Sequence, residues 1–332
     1  MDKTTATWSI QDLWNDLVTE DYPIKPRDYI RASEIGKPFF ERYLTMKGVQ
    51  PTNPFQSRVK RIFDVGLVFE IEVVERIFNL LGILQDSQQE VTLQHPKYLN
   101  VTGHYDHRVG GKIDLEKANQ AINDPMTSSW MKRRAGKLLT QLLEKYPDGL
   151  DTYVAEIKTV NSMAFWAHKN QDPKTGFFKG YDHHKLQLFT YLMATGEKEG
   201  RLFYISKDDM TLMETPIFAD DKELKEKWDT DIAEMTRLYR GNIEPEKPQD
   251  IVFNEEKKVW ELNWQVSRST YFTLMTGKKT VEDWENSLRD ELKKKNTAQC
   301  KGCGKDFQLV TLNKNDGRCA KCAKKEVKPE NE

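Results

Sequence analysis

The segment Val154-Ala155-Glu156-Ile157-Lys158-Thr159 constrains the fold most, because it has the pattern of a strand that carries charge where a buried strand is apolar. Successive side chains of a strand point to opposite faces, so Glu156 and Lys158 share one face while Ala155 and Ile157 share the other. One face can pack into a core while the other presents an acid beside an amine. The segment therefore predicts a strand that supports a core and also lines a chemical site.

A second charged strand is predicted upstream, at Gly103-His104-Tyr105-Asp106 within the hydrophobic run from Leu99 to Val109. If the two strands are neighbours, Asp106 lies close to Glu156 and Lys158. Carboxylates brought so close repel each other unless a cation lies between them. We therefore predict a divalent-metal site with a lysine at its edge.

The segment Gly111-Lys112-Ile113-Asp114 offers an alternative acid, because it repeats the spacing of a glycine three residues before an aspartate. A helix-like stretch follows from Leu115, which places Asp114 at the exit of the strand. Asp106 is preferred because apolar residues surround it on both sides.

A helical pattern runs from Arg58 to Leu81, and Glu70 is the residue in it that needs an explanation. At about 100° per residue, Glu70 lies within the apolar arc of the helix. That arc is formed by Ile62, Phe63, Val65, Phe69, Val73, Ile77 and Leu80. A carboxylate there is costly unless it is paired, protonated or bound to metal. Three interpretations stay open: a further metal ligand, a buried ion pair with an Arg or Lys, or an apolar arc that is really the edge of a groove.

Composition and cysteine placement limit the class of protein. Of 332 residues, 38% are hydrophobic and 31% are charged, and no apolar run approaches the ~20 residues that span a bilayer. The first residues lack the pattern of a secretory signal, so we expect a cytoplasmic, reducing location and no membrane partner. All four cysteines lie late in the chain, where a reducing location favours metal binding over disulfides. The net charge of −1 argues against a protein that simply coats nucleic acid.

The cysteines form two Cys-x-x-Cys pairs separated by fifteen residues, Cys300 with Cys303 and Cys319 with Cys322. This spacing is typical of a tetrahedral Zn²⁺ site in a small ribbon. The surrounding stretch, 293–325, carries ten Lys or Arg against two acids. A basic ribbon suits contact with DNA or with a partner protein, and a solvated lysine-rich tail is the alternative.

The predicted organisation has four parts. Residues 1–253 form one domain with N-terminal helices and a helical insertion at about 115–150. Residues 254–296 form a helical connector, 297–325 the ribbon and 326–332 a tail. The insertion separates the two site strands, which places it to touch a substrate or to cover a surface. In the predicted helix from Tyr181 to Thr195, the three residues spaced three and four apart share one face: His184, Gln187 and Tyr191.

Four short motifs, in this order, resemble the PD-(D/E)xK nuclease superfamily over about residues 30–218. They are Gly66-x-x-x-Glu70, Gly103-x-x-Asp106, Glu156-x-Lys158 and Gln187-x-x-x-Tyr191. The pattern is most similar to the RecB-like and lambda-exonuclease-like branch that is common in bacteriophages. The resemblance implies an α/β fold with a restriction-endonuclease-like core, a central mixed sheet flanked by helices. The C-terminal zinc ribbon would be an addition to that core.

The resemblance also implies roles for individual residues. Asp106 and Glu156 would bind Mg²⁺ or Mn²⁺, Glu70 would be a further ligand, and the Ile157 backbone carbonyl would complete the shell. Lys158 would orient the attacking water or help to deprotonate it.

On the helix, Gln187 and Tyr191 match a motif that lies beside the metal and the DNA, and His184 shares their face as a substrate contact. Two departures are visible. Tyr105 replaces the proline of the superfamily's name. The cysteines that hold an iron-sulfur cluster in some relatives are absent, and the segment from Ser33 to Pro38 lacks one.

These assignments imply a metal-dependent DNA nuclease, a phosphodiester hydrolase. We expect an exonuclease of phage or mobile-element recombination, repair or replication, acting in the host cytoplasm on DNA ends. Hard carboxylate oxygens favour Mg²⁺ or Mn²⁺ over softer metals, which agrees with such chemistry. Two alternatives stay open: a non-catalytic module that binds DNA or protein, and a structure-specific or RNA-directed endonuclease.

Overall fold

The computed structural model describes residues 23–166, 180–255 and 257–326. The chain divides into two compact units. The first comprises Phe55–Glu244 together with the chain up to Val49, and the second comprises Gln50–Pro54 and the chain from Pro245 onward. From residue 327 on, the predicted tail lies outside the described residues.

A six-stranded sheet forms the centre of the first unit. Its strands run in the spatial order β1-β3-β4-β5-β6, and β2 also pairs with β3. The pair β3–β4 is antiparallel and the pair β4–β5 is parallel, so the sheet is mixed. The strands are β1 (Ile30–Arg31), β2 (Leu84–Leu93), β3 (Val101–Gly111), β4 (Leu150–Val160), β5 (Glu199–Ser206) and β6 (Leu212–Phe218).

Helices cover both faces of this sheet. They are α1 (Phe39–Met46), α2 (Ser57–Val68), a π-helical segment (Phe69–Glu75), α3 (Arg76–Leu80), α4 (Leu115–Asn123), α5 (Ser129–Lys145), α6 (Ser162–Phe165), α7 (Asp182–Thr195) and α8 (Lys222–Arg240). Val154 of β4 packs in one core with Leu188 of α7 and Trp228 of α8. The next residue, Ala155, packs in a second core with Phe78 of α3. The predicted α/β class, a mixed central sheet flanked by helices, is confirmed.

The helix predicted from Arg58 to Leu81 is present as one helical run that contains a π-helical segment, but the packed face predicted for its first half is wrong. Ile62, Phe63 and Val65 are 47%, 55% and 43% exposed, and α2 has no buried residue. The π-helical segment has wider turns than the 3.6 residues assumed, so the predicted apolar arc also loses its phase beyond it. Ile77 of that arc is 44% exposed, whereas Val74 in the segment and Phe78 after it lie in the core.

The second unit contains a β-hairpin, short helices and the cysteine-bearing end of the chain. Its elements are β7 (Ile251–Asn254), β8 (Val259–Leu262), α9 (Trp264–Ser267), α10 (Phe272–Thr276), α11 (Val281–Lys295), β9 (Thr297–Gln299), β10 (Asp306–Gln308), α12 (Leu309–Asn313) and α13 (Ala320–Glu326). Trp284 packs on Val266 and Phe272 to form its core. Thr280 caps α11, because its Oγ1 accepts the N–H of Asp283 at 3.1 Å. Among the helices described, none is long and apolar enough to cross a membrane.

Candidate metal centre

The candidate site lies where β3 and β4 separate. Their antiparallel pairing reaches His107 and Ala155. Beyond that pair, Asp106 Oδ2 accepts the N–H of Ile157 at 2.6 Å. The side chain of Asp106 thus contacts the backbone next to Glu156. Glu156 is 0% exposed and Asp106 is 8% exposed, so two acids from neighbouring strands lie together in the interior.

The two oxygens of the Glu156 carboxylate have different surroundings. Oε1 accepts hydrogen bonds from Lys158 Nζ and from Gln187 Nε2, the latter at 2.7 Å. Oε2 is buried and has no hydrogen-bond partner among the residues the structure describes. Leaving a buried carboxylate oxygen without a donor is costly. A cation at Oε2 would supply the missing partner, so the residues present fit a metal ion.

Glu70 lies half-buried in the π-helical segment, a kind of local distortion that often occurs at functional sites. Its carboxylate accepts a hydrogen bond from Gln88 Nε2. Gln88 lies opposite Asp106 in the register of β2 and β3, and its backbone has a φ of 51°, in the left-handed region. Gln88 was not predicted as a site residue, because no local sequence pattern indicates its left-handed backbone conformation.

Electrostatics couple these groups. Burial, and then the charge of Asp106, raise the pKa of Glu156 to about 8 and that of Glu70 to about 7. Burial also raises the pKa of Asp106. For Lys158, burial acts against the charge, but the carboxylates of Glu156 and Asp106 outweigh it and raise the pKa. Acids whose pKa values rise in this way are stabilised as carboxylates by a cation among them.

The carboxylate oxygens of Glu70, Asp106 and Glu156 do not all lie within 4.8 Å of one another. Across the described residues, the one set of three or more His, Cys, Asp or Glu ligand atoms within 4.8 Å of one another belongs to the cysteines. Glu70 is hydrogen-bonded to Gln88 and Asp106 to the N–H of Ile157. Shared ligation of one ion by Glu70, Asp106 and Glu156 therefore requires at least one carboxylate to turn away from its present partner.

The helix motif predicted for substrate binding divides into two environments. Gln187 and Tyr191 are buried, and the amide of Gln187 donates to the Tyr191 hydroxyl at 3.1 Å as well as to Glu156. A Cβ at Gly103 would lie 2.9 Å from that hydroxyl, so this position requires glycine for β3 to approach α7 closely. His184 lies apart, with its Nδ1 2.9 Å from the hydroxyl of Tyr204.

The alternative acid, Asp114, lies outside the cluster. It is exposed and caps α4, where its Oδ1 accepts the N–H of Lys117 at 2.9 Å. At the other predicted glycine, Gly66, an added Cβ would lie 3.3 Å from Thr159 Oγ1. Gly66 thus permits α2 to approach β4 beside Lys158.

The four cysteines form a second candidate centre, in the second unit. One ligand atom from each lies within 4.8 Å of the others, as the predicted ribbon requires. The N–H groups of Gly302 and Cys319 donate to Cys300 Sγ at 3.4 and 3.1 Å. A Cβ at Gly302 would lie 2.9 Å from Cys322 Cβ, so glycine is needed in this turn.

Charge is distributed unevenly over these thiols. The N–H of Cys319 lowers the pKa of Cys300 to about 6, whereas the neighbouring Cys319 thiol raises the pKa of Cys322 to about 12. A thiolate already favoured at one position, with three sulfurs beside it, is the donor set of a structural metal site.

No protein-family model matches the sequence. No curated protein matches it either. Among solved structures, the protein SSO0001 matches with a TM-score of 0.36 and 13% identity, covering 70% of this chain and 89% of that one. An alkaline exonuclease (LHK-Exo) from Laribacter hongkongensis matches with a TM-score of 0.39 and 18% identity, covering 70% and 94%. The complex of LHK-Exo with dAMP has the same score and identity and covers 65% and 90%.

Proposed function

We propose that this chain is a metal-dependent nuclease that hydrolyses phosphodiester bonds in DNA. In this proposal Asp106, Glu156 and Glu70, with the backbone carbonyl of Ile157, hold Mg²⁺ or Mn²⁺. The observation that carries the proposal is the buried Oε2 of Glu156, which has no hydrogen-bond partner among the described residues and lies in the same cluster as Asp106 and Lys158. In a purely structural carboxylate at this depth, each buried oxygen is expected to have at least one hydrogen-bond partner.

The ligand set determines the kind of ion and the chemistry. Carboxylate and carbonyl oxygens favour Mg²⁺ and Mn²⁺. When bound, such an ion lowers the pKa of a water and offsets the negative charge of the phosphate. Asp106 and Glu156 come from neighbouring strands of a packed sheet, so the chain holds these oxygens on rigid elements.

Lys158 contributes a positive charge at the site. Its raised pKa keeps the ammonium protonated at neutral pH, and its hydrogen bond to Glu156 keeps it on the carboxylate face of β4. We therefore assign Lys158 to orienting the attacking water and stabilising the charge that develops on the phosphate oxygens, rather than to removing a proton.

Gln187 and Tyr191 act one step further from the substrate. The amide nitrogen of Gln187 donates a hydrogen bond to Glu156 Oε1 at 2.7 Å. The same amide nitrogen also donates to the hydroxyl of Tyr191. With Oε1 fixed in this way, Oε2 is left for the ion. Both residues are positioning residues in this proposal, because neither is exposed to a DNA strand.

The decisive experiment compares three purified variants on end-labelled duplex DNA with Mg²⁺ or Mn²⁺. Glu156→Gln and Lys158→Met are expected to reduce the rate of hydrolysis by at least about a hundredfold, since each removes a group that acts on the reacting phosphate. Asp114→Asn is the matched control, because asparagine also caps helices well and the residue lies outside the cluster. Hydrolysis at the parent rate in Glu156→Gln would refute the proposal.

The finer activity we propose is that of an exonuclease in phage or mobile-element DNA recombination, repair or replication, working in the host cytoplasm. Linear DNA should be degraded, while covalently closed circles and end-blocked duplexes should persist. Cleavage of closed circles would favour a structure-specific endonuclease. Faster hydrolysis of RNA than of DNA would favour an RNA-directed endonuclease. Metal-independent DNA binding without hydrolysis would favour a non-catalytic module.

For the cysteine centre we propose a structural Zn²⁺ held by Cys300, Cys303, Cys319 and Cys322. The clustering of four sulfur ligands and the N–H donors on Cys300 support it. The ribbon would then contact DNA or a partner protein through its exposed lysines, including Lys301 and Lys305.

A further inference from the structure

Helix α5 belongs to the insertion between the two site strands. One side of it is fixed to the first unit, because Leu139 packs with Ile113 and Ala118 in a small core. Arg76 of α3 also donates to the carbonyl of Met126, just before α5, at 2.8 Å. The insertion is therefore a packed part of the first unit.

The outward side of α5 carries a basic stripe, which we define as Arg133, Arg134 and Lys137. At 100° per residue these three side chains and Trp130 fall within an arc of about 100°. All four are exposed, whereas Ala135 on the opposite side is buried. The three charges lie within two helical turns on one surface.

The stripe lacks the carboxylate partners that two exposed bases of α8 have. On α8, Lys225 pairs with Asp229 at 2.5 Å, and Arg237 pairs with Glu234 at 2.7 Å. No residue of the stripe forms an ion pair with any carboxylate in the described parts of the chain. The first acid further along that face, Glu144, follows seven residues after Lys137, about 10 Å along the helix.

Trp130 contacts Arg134 of the stripe. The guanidinium carbon of Arg134 lies 5.0 Å from the centre of the Trp130 ring. A guanidinium over an indole face is held by a cation–π contact while its N–H groups stay available at the edges. Three like charges held on one exposed surface, with no acid between them, form a surface that a polyanion neutralises.

We propose that the basic stripe binds the phosphate backbone of duplex DNA. Three exposed cations that have no carboxylate partner among the described residues are complementary in charge to the phosphates of a duplex. That this duplex is also the substrate rests on the proposed function.

The test measures DNA binding in EDTA, where no hydrolysis takes place, by fluorescence anisotropy at several salt concentrations. The variant carries Arg133→Gln, Arg134→Gln and Lys137→Gln. Each lost phosphate contact reduces the slope of log affinity against log salt by about 0.9, so the triple variant should lose about 2.7. The ratio of the parent's DNA affinity to that of the triple variant should therefore fall about fortyfold when the salt concentration rises from about 50 to 200 mM. Each single substitution should lower the slope by about 0.9.

A charge-matched control carries Lys97→Gln, Lys198→Gln and Lys222→Gln. These lysines are exposed in the same unit, outside the insertion. The control should keep the slope of the parent.

The outcomes separate this inference from the proposed function. Equal slopes for parent and stripe variant would overturn the inference, and so would an equal loss in the control. A stripe-dependent slope in a protein that hydrolyses no DNA would overturn the nuclease proposal and leave the phosphate contact standing. Stripe-dependent binding to an acidic peptide without any binding to DNA would also overturn the inference.

Discussion

Gln187→Met is expected to weaken binding of the catalytic ion without unfolding the protein. Methionine has nearly the length and volume of glutamine and suits a buried position on α7. The substitution removes the donor that lies 2.7 Å from Glu156 Oε1. Lys158 then becomes the one donor to that oxygen among the described residues.

The size of the effect follows from the burial of both partners. Gln187 is 7% exposed and Glu156 is 0% exposed, so water does not replace the lost donor. A hydrogen bond to a charged group contributes about 1.5–3 kcal/mol. Its loss raises the pKa of Glu156 further, and an ion must then displace a proton that is held more tightly. Since about 1.4 kcal/mol is a factor of ten, Mn²⁺ affinity should fall about tenfold to a hundredfold.

Isothermal titration with Mn²⁺ at neutral pH measures this affinity directly, and the rate of DNA hydrolysis at saturating Mn²⁺ shows how much activity returns. Met193→Leu, a partly buried substitution on the same helix, controls for disturbance of α7. Tyr191→Phe should have a smaller effect, because it removes only the hydroxyl that accepts from Gln187 at 3.1 Å. An unchanged Mn²⁺ affinity in Gln187→Met would refute the positioning role.

Three further predictions follow from the same geometry. Because burial raises the pKa of Glu156 to about 8, the folded state holds this proton more tightly than the unfolded state, so its contribution to stability is lost as pH rises. The free energy of unfolding of metal-free protein should fall by about 3 kcal/mol between pH 5 and 8, measured with urea in EDTA, and an equal slope in Glu156→Gln would contradict this. Cys300→Ser should lose bound zinc, measured by elemental analysis, and zinc retained in that variant would exclude the four-cysteine site. Gly103→Ala should cost about 1–3 kcal/mol of stability in urea unfolding, since its Cβ would lie 2.9 Å from Tyr191, whereas Gly136→Ala, with open space around it, should cost nothing.

Local periodicity was sufficient for part of the site. The two-residue period of a strand is a property of the backbone, so Glu156 and Lys158 had to share a face wherever β4 was placed. The two Cys-x-x-Cys units are likewise local, because a short turn brings each pair of sulfurs together. The face of β4 predicted to pack lies in one core through Ala155 and Ile157, whereas the packing of Val154, on the other face, in a second core was not predicted.

Other features escaped this kind of reasoning. Gln88 reaches Glu70 across two elements and from a left-handed backbone position, which no periodicity marks. The apolar arc predicted from Arg58 to Leu81 assumed one helical period throughout, and the π-helical segment shifted its phase, so Ile77 is exposed while Phe78 is buried.

Residue order and backbone period thus prescribed which side chains point the same way within one strand, turn or helix. Which of those side chains meet inside the protein was settled by folding. The partners of Glu156 arrive from its own strand and from a distant helix, and the partner of Glu70 arrives from another strand. Their meeting depends on strand register, on the separation of β3 from β4 and on one irregular helical turn. Those are properties of packing between elements, and short-range patterns carry no information about them.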